Sequence, residues 1–287
     1  TEEELKNWLK EVGEKPFRAD QIRNRLFCGQ VKSFDAMETI PAALREKLSA
    51  NFRITSLEEA KRLLSEDGTV KWLYRTHDGY HIETVLIPTN DRFSVCVSTQ
   101  IGCAQNCAFC RTAKMGFIRN LEAGEILEEI IRVNWYLEET GTKHSDGSLA
   151  KVTNIIFMGM GEPLNNLEQV HRVCCTLHHQ KLFNLGRKRM TISTSGVVPK
   201  IKELVDRNTP CCLAVSLNST NDERRSAVMP VNKVWNIAKL LEATDEYTRR
   251  TGNYVTFEFV LMKGITCSEE AAKELIRICA PRRCKVN

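Results

Sequence analysis

The sequence predicts an α/β fold in which repeated strand–helix units build a parallel sheet or partial barrel, preceded by a small helical unit and a β-hairpin. Three observations carry this. From Phe93 onward, apolar runs of strand length alternate at a regular beat with segments of helical periodicity. Before residue 60 only the helical period appears. Between the two, Val70 to Arg75 and Ile82 to Ile87 flank an Asp78-Gly79 turn, the mark of a hairpin. A chain of 287 residues can bury one large core and a second small one.

Taken in order, Leu5, Trp8, Leu9 and Val12, then Ile22 and Leu26, then Leu44 and Leu48 behind Pro41 define the helices of the first unit. Residues 1–60 hold ten Lys or Arg against eleven Asp or Glu, which announce no nucleic-acid partner by net charge, although Arg18, Arg23, Arg25 and Lys32 could form a local face. In the hairpin, Glu83 faces away from Ile82 and Thr84. It is either a solvent-facing acid or one presented to the next unit, and spacing does not choose. The predicted strands are Ser94 to Thr99, Thr153 to Met158, Arg189 to Thr194, Cys212 to Leu217, Tyr254 to Leu261 and a sixth beginning at Lys285. Helices between them include one with Ile126, Ile130, Val133 and Leu137 inward, and one with Ala271, Leu275 and Ile278. This gives three parts: residues 1–62, the hairpin at 63–88, and the α/β core at 89–287.

Twelve cysteines and no apolar signal segment fit a reducing compartment, where thiols serve metals or catalysis, so a cytoplasmic enzyme is expected. The longest apolar runs are of strand length, so no membrane span is expected. The net charge of +5 permits a nucleic-acid partner without demanding one.

The most informative stretch is Cys103-Ala104-Gln105-Asn106-Cys107-Ala108-Phe109-Cys110, three thiols at C-x3-C-x2-C behind a short apolar strand. Thiolates are soft ligands for iron–sulfur clusters and zinc, and a four-iron cluster normally takes four of them. Three leave one iron open to chelate a small molecule. Structural zinc is the competing reading. It needs a fourth Cys or His at close spacing, and the nearest downstream candidate, His144, lies far along the chain.

In parallel α/β folds ligands gather at the carboxyl ends of the strands. There the sequence carries Gly159-Met160-Gly161-Glu162-Pro163, then Ser193-Thr194-Ser195-Gly196, then Ser216-Leu217-Asn218. Glycines let a ligand approach the backbone, and a carboxylate can pair with an ammonium group. Each alone also fits a plain turn. Together they point at one place.

The cysteine loop, Gly116 to Leu121, the Gly-Met-Gly-Glu-Pro turn, Thr194 to Pro199 and Met229-Pro230-Val231-Asn232 together resemble the RlmN/Cfr family of RNA methyltransferases, in the radical S-adenosylmethionine (SAM) superfamily. Phe17 to Ile22 is similar to that family's accessory domain. The resemblance implies a partial (βα)6 radical SAM barrel and a 4Fe-4S cluster on Cys103, Cys107 and Cys110. It places Gly161 and Glu162 at the methionine ammonium, with Ser193, Ser216, Leu217 and Asn218 completing the cofactor pocket. Many members carry His where this chain has Asn218, a change that a backbone contact would survive.

The implied reaction methylates carbon 2 of an adenosine in 23S rRNA and of one beside the anticodon in tRNA. That carbon has no nucleophilic lone pair, so radical chemistry supplies the route. One SAM methylates a C-terminal cysteine, a second yields a deoxyadenosyl radical, and a covalent protein–RNA adduct forms. Cys96 matches the cysteine that breaks the adduct and Glu83 the proton-accepting acid. On its strand Cys96 shares a face with Ser94 and Ser98, which suits a polar pocket. The resemblance further implies an electron donor such as flavodoxin or ferredoxin, and a monomer. The alternatives are a Cfr-type carbon-8 methyltransferase and a zinc-stabilised RNA-binding module without catalysis.

A basic set, Arg111, Lys114, Arg119, Arg187, Lys188, Arg189, Arg224 and Arg225, is expected around the mouth, to hold RNA while the target base is flipped in. Thr1 is not an initiator methionine, and the sequence stops at Asn287 as the sixth strand begins. The family's methyl-carrying cysteine is expected beyond that point, since Cys279 and Cys284 align before it. As it stands, the chain is expected to assemble a cluster without methylating RNA.

Overall fold

The structure, a computed structural model, describes residues 2–28 and 31–287. Thr1 lies outside them. Three helices open the chain: α1 (Glu2–Glu11), α2 (Arg18–Phe27) and α3 (Ala42–Asn51), the last capped by Pro41. Their inward stripes close a small core of Leu9, Ala19, Ile22, Phe34, Met37, Ile40, Leu44 and Leu48. This core is separate from the main one.

The main sheet has nine strands: β1 (Glu58–Leu64), β2 (Val70–Arg75), β3 (His81–Thr89), β4 (Arg92–Cys96), then β7 (Asn154–Phe157), β8 (Met190–Thr194), β9 (Cys212–Ser216), β10 (Val255–Glu258) and β11 (Cys284–Val286), side by side in that order. A two-stranded ribbon, β5 (Gln100–Gly102) with β6 (Phe117–Asn120), stands apart. β1 to β4 run antiparallel and β4 to β11 parallel. Crossovers run through α4 (Ala123–Glu139), α5 (Leu167–His178), α6 (Val198–Asp206), α7 (Asp222–Val228) with α8 (Ile237–Thr251), and α9 (Glu269–Cys279). The six parallel strands are the predicted partial barrel.

Two features differ from the sequence pattern. β1 has no counterpart in it, because every one of its residues is exposed and no alternation marks the strand. The strand expected over Ser94 to Thr99 is broken at Cys96. There the chain leaves β3 but stays on β7, the Val97 amide donating to the Ile156 carbonyl at 3.0 Å.

One face of the sheet is covered by helices. It carries Trp72, Tyr74, Ile82, Leu86, Val95, Ile155, Phe157, Ile192, Leu213, Val215 and Phe257, all buried. α4 supplies Ile126, Ile130, Val133 and Leu137 to this core and starts at a capping box between Glu122 and Glu125. Each such side chain contributes roughly 2 kcal/mol of transfer free energy. The other face alternates with the first and is half-open: Glu83, Ser94, Cys96, Asn154, Thr191, Ser193, Ser216 and Glu258. Leu73, Val85, Ile156 and Ala214 share that face, and its polar groups Glu83, Cys96, Ser193, Ser216 and Glu258 gather at the carboxyl end of the parallel strands. Among the described residues no helix is long and apolar enough to cross a membrane.

Candidate active site

The thiol loop hangs between β5 and β6, at the carboxyl end of β4. Gly102 makes its closure possible: φ is +74°, and a Cβ there would lie 1.7 Å from the Gly116 carbonyl oxygen. The Cys103 amide donates to that same carbonyl at 2.9 Å, and the Ala108 amide reaches the Val228 carbonyl at 2.9 Å, pinning the loop at both ends. Arg119 on β6 forks to Asp78 in the hairpin turn and to Glu125 on α4, through hydrogen bonds between 2.7 and 3.0 Å. The hairpin thereby braces the loop.

Cys103 is buried, and Cys107 and Cys110 are half-buried. Burial pushes the Cys107 thiol up to about 12, and the charges of Cys103, Cys110 and Glu162 add to the effect. Cys103 is raised by the same causes. The three thiols therefore lie within charge range of one another and of Glu162. Among the described residues they are not drawn in to one metal-sized point. Three cysteines on one short loop are a donor set that a cubane cluster takes, each thiolate on a different iron. Iron would also supply the positive charge that converts these reluctant thiols to thiolates. His144, the zinc candidate, packs on Phe93 at the opposite end of β4 and takes no part.

Glu162 is buried at the next strand end. Its Oε2 accepts from the Ser195 amide and hydroxyl, each at 2.8 Å, and its Oε1 from the Leu164 amide at 3.1 Å. Burial raises its pKa while these donors oppose the rise. Gly161, at φ +104°, presses so closely on Gln100 that a Cβ would lie 2.6 Å from the Gln100 Cβ. The Gln100 Oε1 accepts from the Glu162 amide at 2.7 Å, joining the two loops.

Ser193 and Ser216 are half-open on the polar face. Leu217 and Asn218 are buried. The Asn218 side chain bonds the Val260 amide at 3.0 Å and the Met229 sulfur at 3.4 Å, and its backbone is left-handed at φ +52°. The Leu217 and Asn218 amides both donate to the Glu258 carbonyl, at 3.0 and 3.2 Å, and the Leu217 carbonyl accepts from the Ser219 amide and from Arg225 Nε.

Glu83 and Cys96 occupy the same face. Val85 pairs with Cys96 across β3 and β4, so Glu83 is the diagonal neighbour two residues further along β3. Glu83 holds Lys71 at 2.6 Å. Burial pushes the Cys96 thiol up to about 11, and the nearby carboxylates Glu129 and Glu83 add to that. It rests as a neutral thiol.

The basic set expected at the mouth does not assemble. Arg225 is completely buried: Nε donates to Leu217 O, Nη1 to Asn232 Oδ1, and Nη2 to Ser195 O and Ser216 O, at 2.7 to 3.0 Å. Burial lowers its pKa to about 10, which leaves it cationic at neutral pH, and it feels the charge of Cys107. It ties two strand-end loops together beneath the thiols. Arg224 bonds Glu274 and Arg119 its two carboxylates. Arg187, Lys188 and Arg189 precede β8, at the opposite end of the strands. Arg111 and Lys114 stay exposed on the thiol loop. Arg18, Arg23 and Lys32 of the first unit bond nearby side chains, Gln21, Glu2 and Glu139 respectively. Sequence reasoning missed Gln100 and the structural role of Arg225, whose four acceptors come from three separate segments.

Comparison with known proteins adds the family. Residues 1–54 match the ribosomal RNA large subunit methyltransferase N-terminal domain, and residues 97–276 match the radical SAM superfamily. A probable dual-specificity RNA methyltransferase RlmN of Bacillus pumilus is 42% identical over 284 residues, which are 99% of this chain and 77% of the relative. Its counterpart in Bacillus subtilis is 40% identical over 285 residues, covering 99% of this chain and 76% of the relative. The crystal structure of a radical SAM methyltransferase from Sphaerobacter thermophilus superimposes with a TM-score of 0.93 at 40% identity, covering 100% of this chain and 82% of that one. With its thiol loop and strand-end residues in this arrangement, the chain belongs to the RlmN family of radical SAM RNA methyltransferases.

Proposed function

We propose that this protein methylates carbon 2 of an adenosine in 23S rRNA and of an adenosine beside the anticodon in tRNA. The observation that carries the reading is a shared location: three thiols on one loop, the buried Glu162, and Cys96 with Glu83 diagonal to it all lie at one end of the parallel sheet. Cys103, Cys107 and Cys110 would hold a 4Fe-4S cluster, which with bound SAM supplies the one-electron chemistry that an electron-poor ring carbon requires. Gly161 exposes backbone to the methionine end of SAM. Glu162 offers the carboxylate for its ammonium, Ser193 and Ser216 offer hydroxyls, and Leu217 and Asn218 would complete the wall of the pocket. Cys96 would break the protein–RNA adduct with its thiol, and Glu83, diagonal to it, would take the proton. The relatives' RlmN description supports carbon 2 over the carbon-8 alternative.

We assign residues 1–62 to an accessory unit for RNA, 63–88 to the hairpin and 89–287 to the catalytic core; β1 straddles the first boundary. A protein reductant of the flavodoxin or ferredoxin class, a cytoplasmic setting and a monomer complete the proposal. Two measurements test it. Anaerobically purified protein should carry iron and acid-labile sulfide in near-equal amounts, and stoichiometric zinc without iron would end the reading. Mass spectrometry of digested rRNA and tRNA, from cells lacking and regaining the gene, should place the methyl group on carbon 2; carbon 8 would select the alternative.

A further inference from the structure

Glu129 is fully buried on α4, beneath the sheet and on the side away from the open face. Its Oε2 accepts from the Thr84 hydroxyl and, at 3.1 Å, from the Ser98 amide. Its Oε1 has no partner among the described residues. A purely structural position would be filled more favourably by leucine, because a buried carboxyl with one bare oxygen carries a desolvation cost.

The neighbours it joins explain the choice. Thr84 follows Glu83, and Ser98 lies two residues after Cys96. The ladder between β3 and β4 ends at the Val85–Cys96 pair, after which β4 parts from β3. At the next level Ser98 is the remaining connection: its hydroxyl donates to the Glu83 carbonyl at 2.7 Å and accepts from the Met160 amide at 3.1 Å. Its amide would be orphaned without Glu129.

We propose that Glu129 is a positioning residue, a side-chain rung that replaces the missing ladder bond between β3 and β4 and fixes Glu83 and Cys96 relative to each other. The service to catalysis rests on the function proposed above, whereas the rung does not. A misplacement of about 1 Å between reacting groups can cost about a hundredfold in rate, so a rung at this level matters to any step the two residues share. Glutamine keeps the acceptor oxygen and the shape, and alanine removes both.

The test uses the full-length protein, as wild type, Glu129→Gln and Glu129→Ala. Hydrogen exchange at the Ser98 amide and the alkylation rate of Cys96, read by mass spectrometry on protein without cluster or RNA, report the rung directly. Both should rise about tenfold or more in the alanine variant and stay within about twofold in the glutamine variant. On the loaded enzyme, deoxyadenosine released per adenosine methylated should also rise about tenfold with alanine at unchanged iron content, and glutamine should restore coupling. Unchanged exchange and alkylation in the alanine variant would overturn the proposal. Parallel loss of iron, deoxyadenosine and methylation would reduce Glu129 to general folding and overturn it too. A wild type that never methylates RNA, with exchange and alkylation moved as expected, would keep the rung and remove the function.

Discussion

Ser195 donates both its backbone amide and its hydroxyl to the same oxygen of Glu162, each at 2.8 Å. One strand-end loop thus grips the carboxylate of the previous one. Ser195→Ala leaves one of the two bonds and should cost about 1–3 kcal/mol of stability, read by thermal unfolding. Glu162→Gln removes the charge that would meet an ammonium group, and SAM affinity should fall about tenfold or more at unchanged iron content. Equal affinity by equilibrium dialysis would take Glu162 out of the cofactor pocket.

Arg225→Met should unfold the protein more easily than any other single arginine change. It takes the guanidinium donors from the carbonyls of Ser195 and Ser216 and from the Asn232 amide oxygen, and leaves the Leu217 carbonyl with the Ser219 amide alone. A loss of about 3 kcal/mol or more is expected, and lysine should recover little, because its ammonium cannot reproduce a planar fork. Denaturant midpoints of the three proteins decide this.

Cys96 provides a pH signature. Its pKa in the fold is raised to about 11 from an ordinary value of 9.0, chiefly by burial. The neutral thiol is therefore the form the fold favours. Its contribution to stability is fully present below about pH 9 and is lost as pH climbs toward 11. Alkylation of Cys96 should accordingly keep accelerating beyond pH 9, where an ordinary thiol levels off. A plateau at pH 9 would show a solvated thiolate and undo the account of its pocket.

RNA affinity should depend on which end of the sheet is altered. Arg111→Glu with Lys114→Glu, on the exposed thiol loop, should weaken transcript binding and flatten its salt dependence, by about one unit of slope for each phosphate no longer neutralised. The same exchange at Arg187 and Lys188, at the far end, should do neither. Equal weakening from both pairs in filter-binding titrations would mean that RNA wraps the whole barrel.

The parallel strands and the thiol loop were legible because apolar periodicity and cysteine spacing are local signals. Three parts were not. β1, Glu58–Leu64, has every residue exposed, so no alternation betrays a strand that is held by its ladder to β2 and by surface pairs such as Glu58 with Arg75. Arg225 is indistinguishable in sequence from its neighbour Arg224, yet one is sealed inside a fan of carbonyls and the other pairs with Glu274 at the surface. Only tertiary packing separates them. Glu129 is likewise hidden in a run with Glu125 and Glu128, each of which a helical pattern would assign to a polar face. All three are buried. Glu128 is turned to the Ser56 and Leu57 amides that bring the first unit to the sheet.

The break after Cys96 bears on the order of assembly. Glu83 and Cys96 are diagonal neighbours across β3 and β4, whose connection is the two residues Asn90 and Asp91, with Asn90 in the left-handed region at φ +50° that such a tight reversal favours. A hairpin of this kind closes in about 1–10 μs, whereas β7 must wait for a crossover through α4. The acid and the thiol therefore find each other within a single local contact. The helical buttress and the rest of the barrel then condense around a pair already in register, so lesions elsewhere in the barrel should slow refolding without scrambling this one.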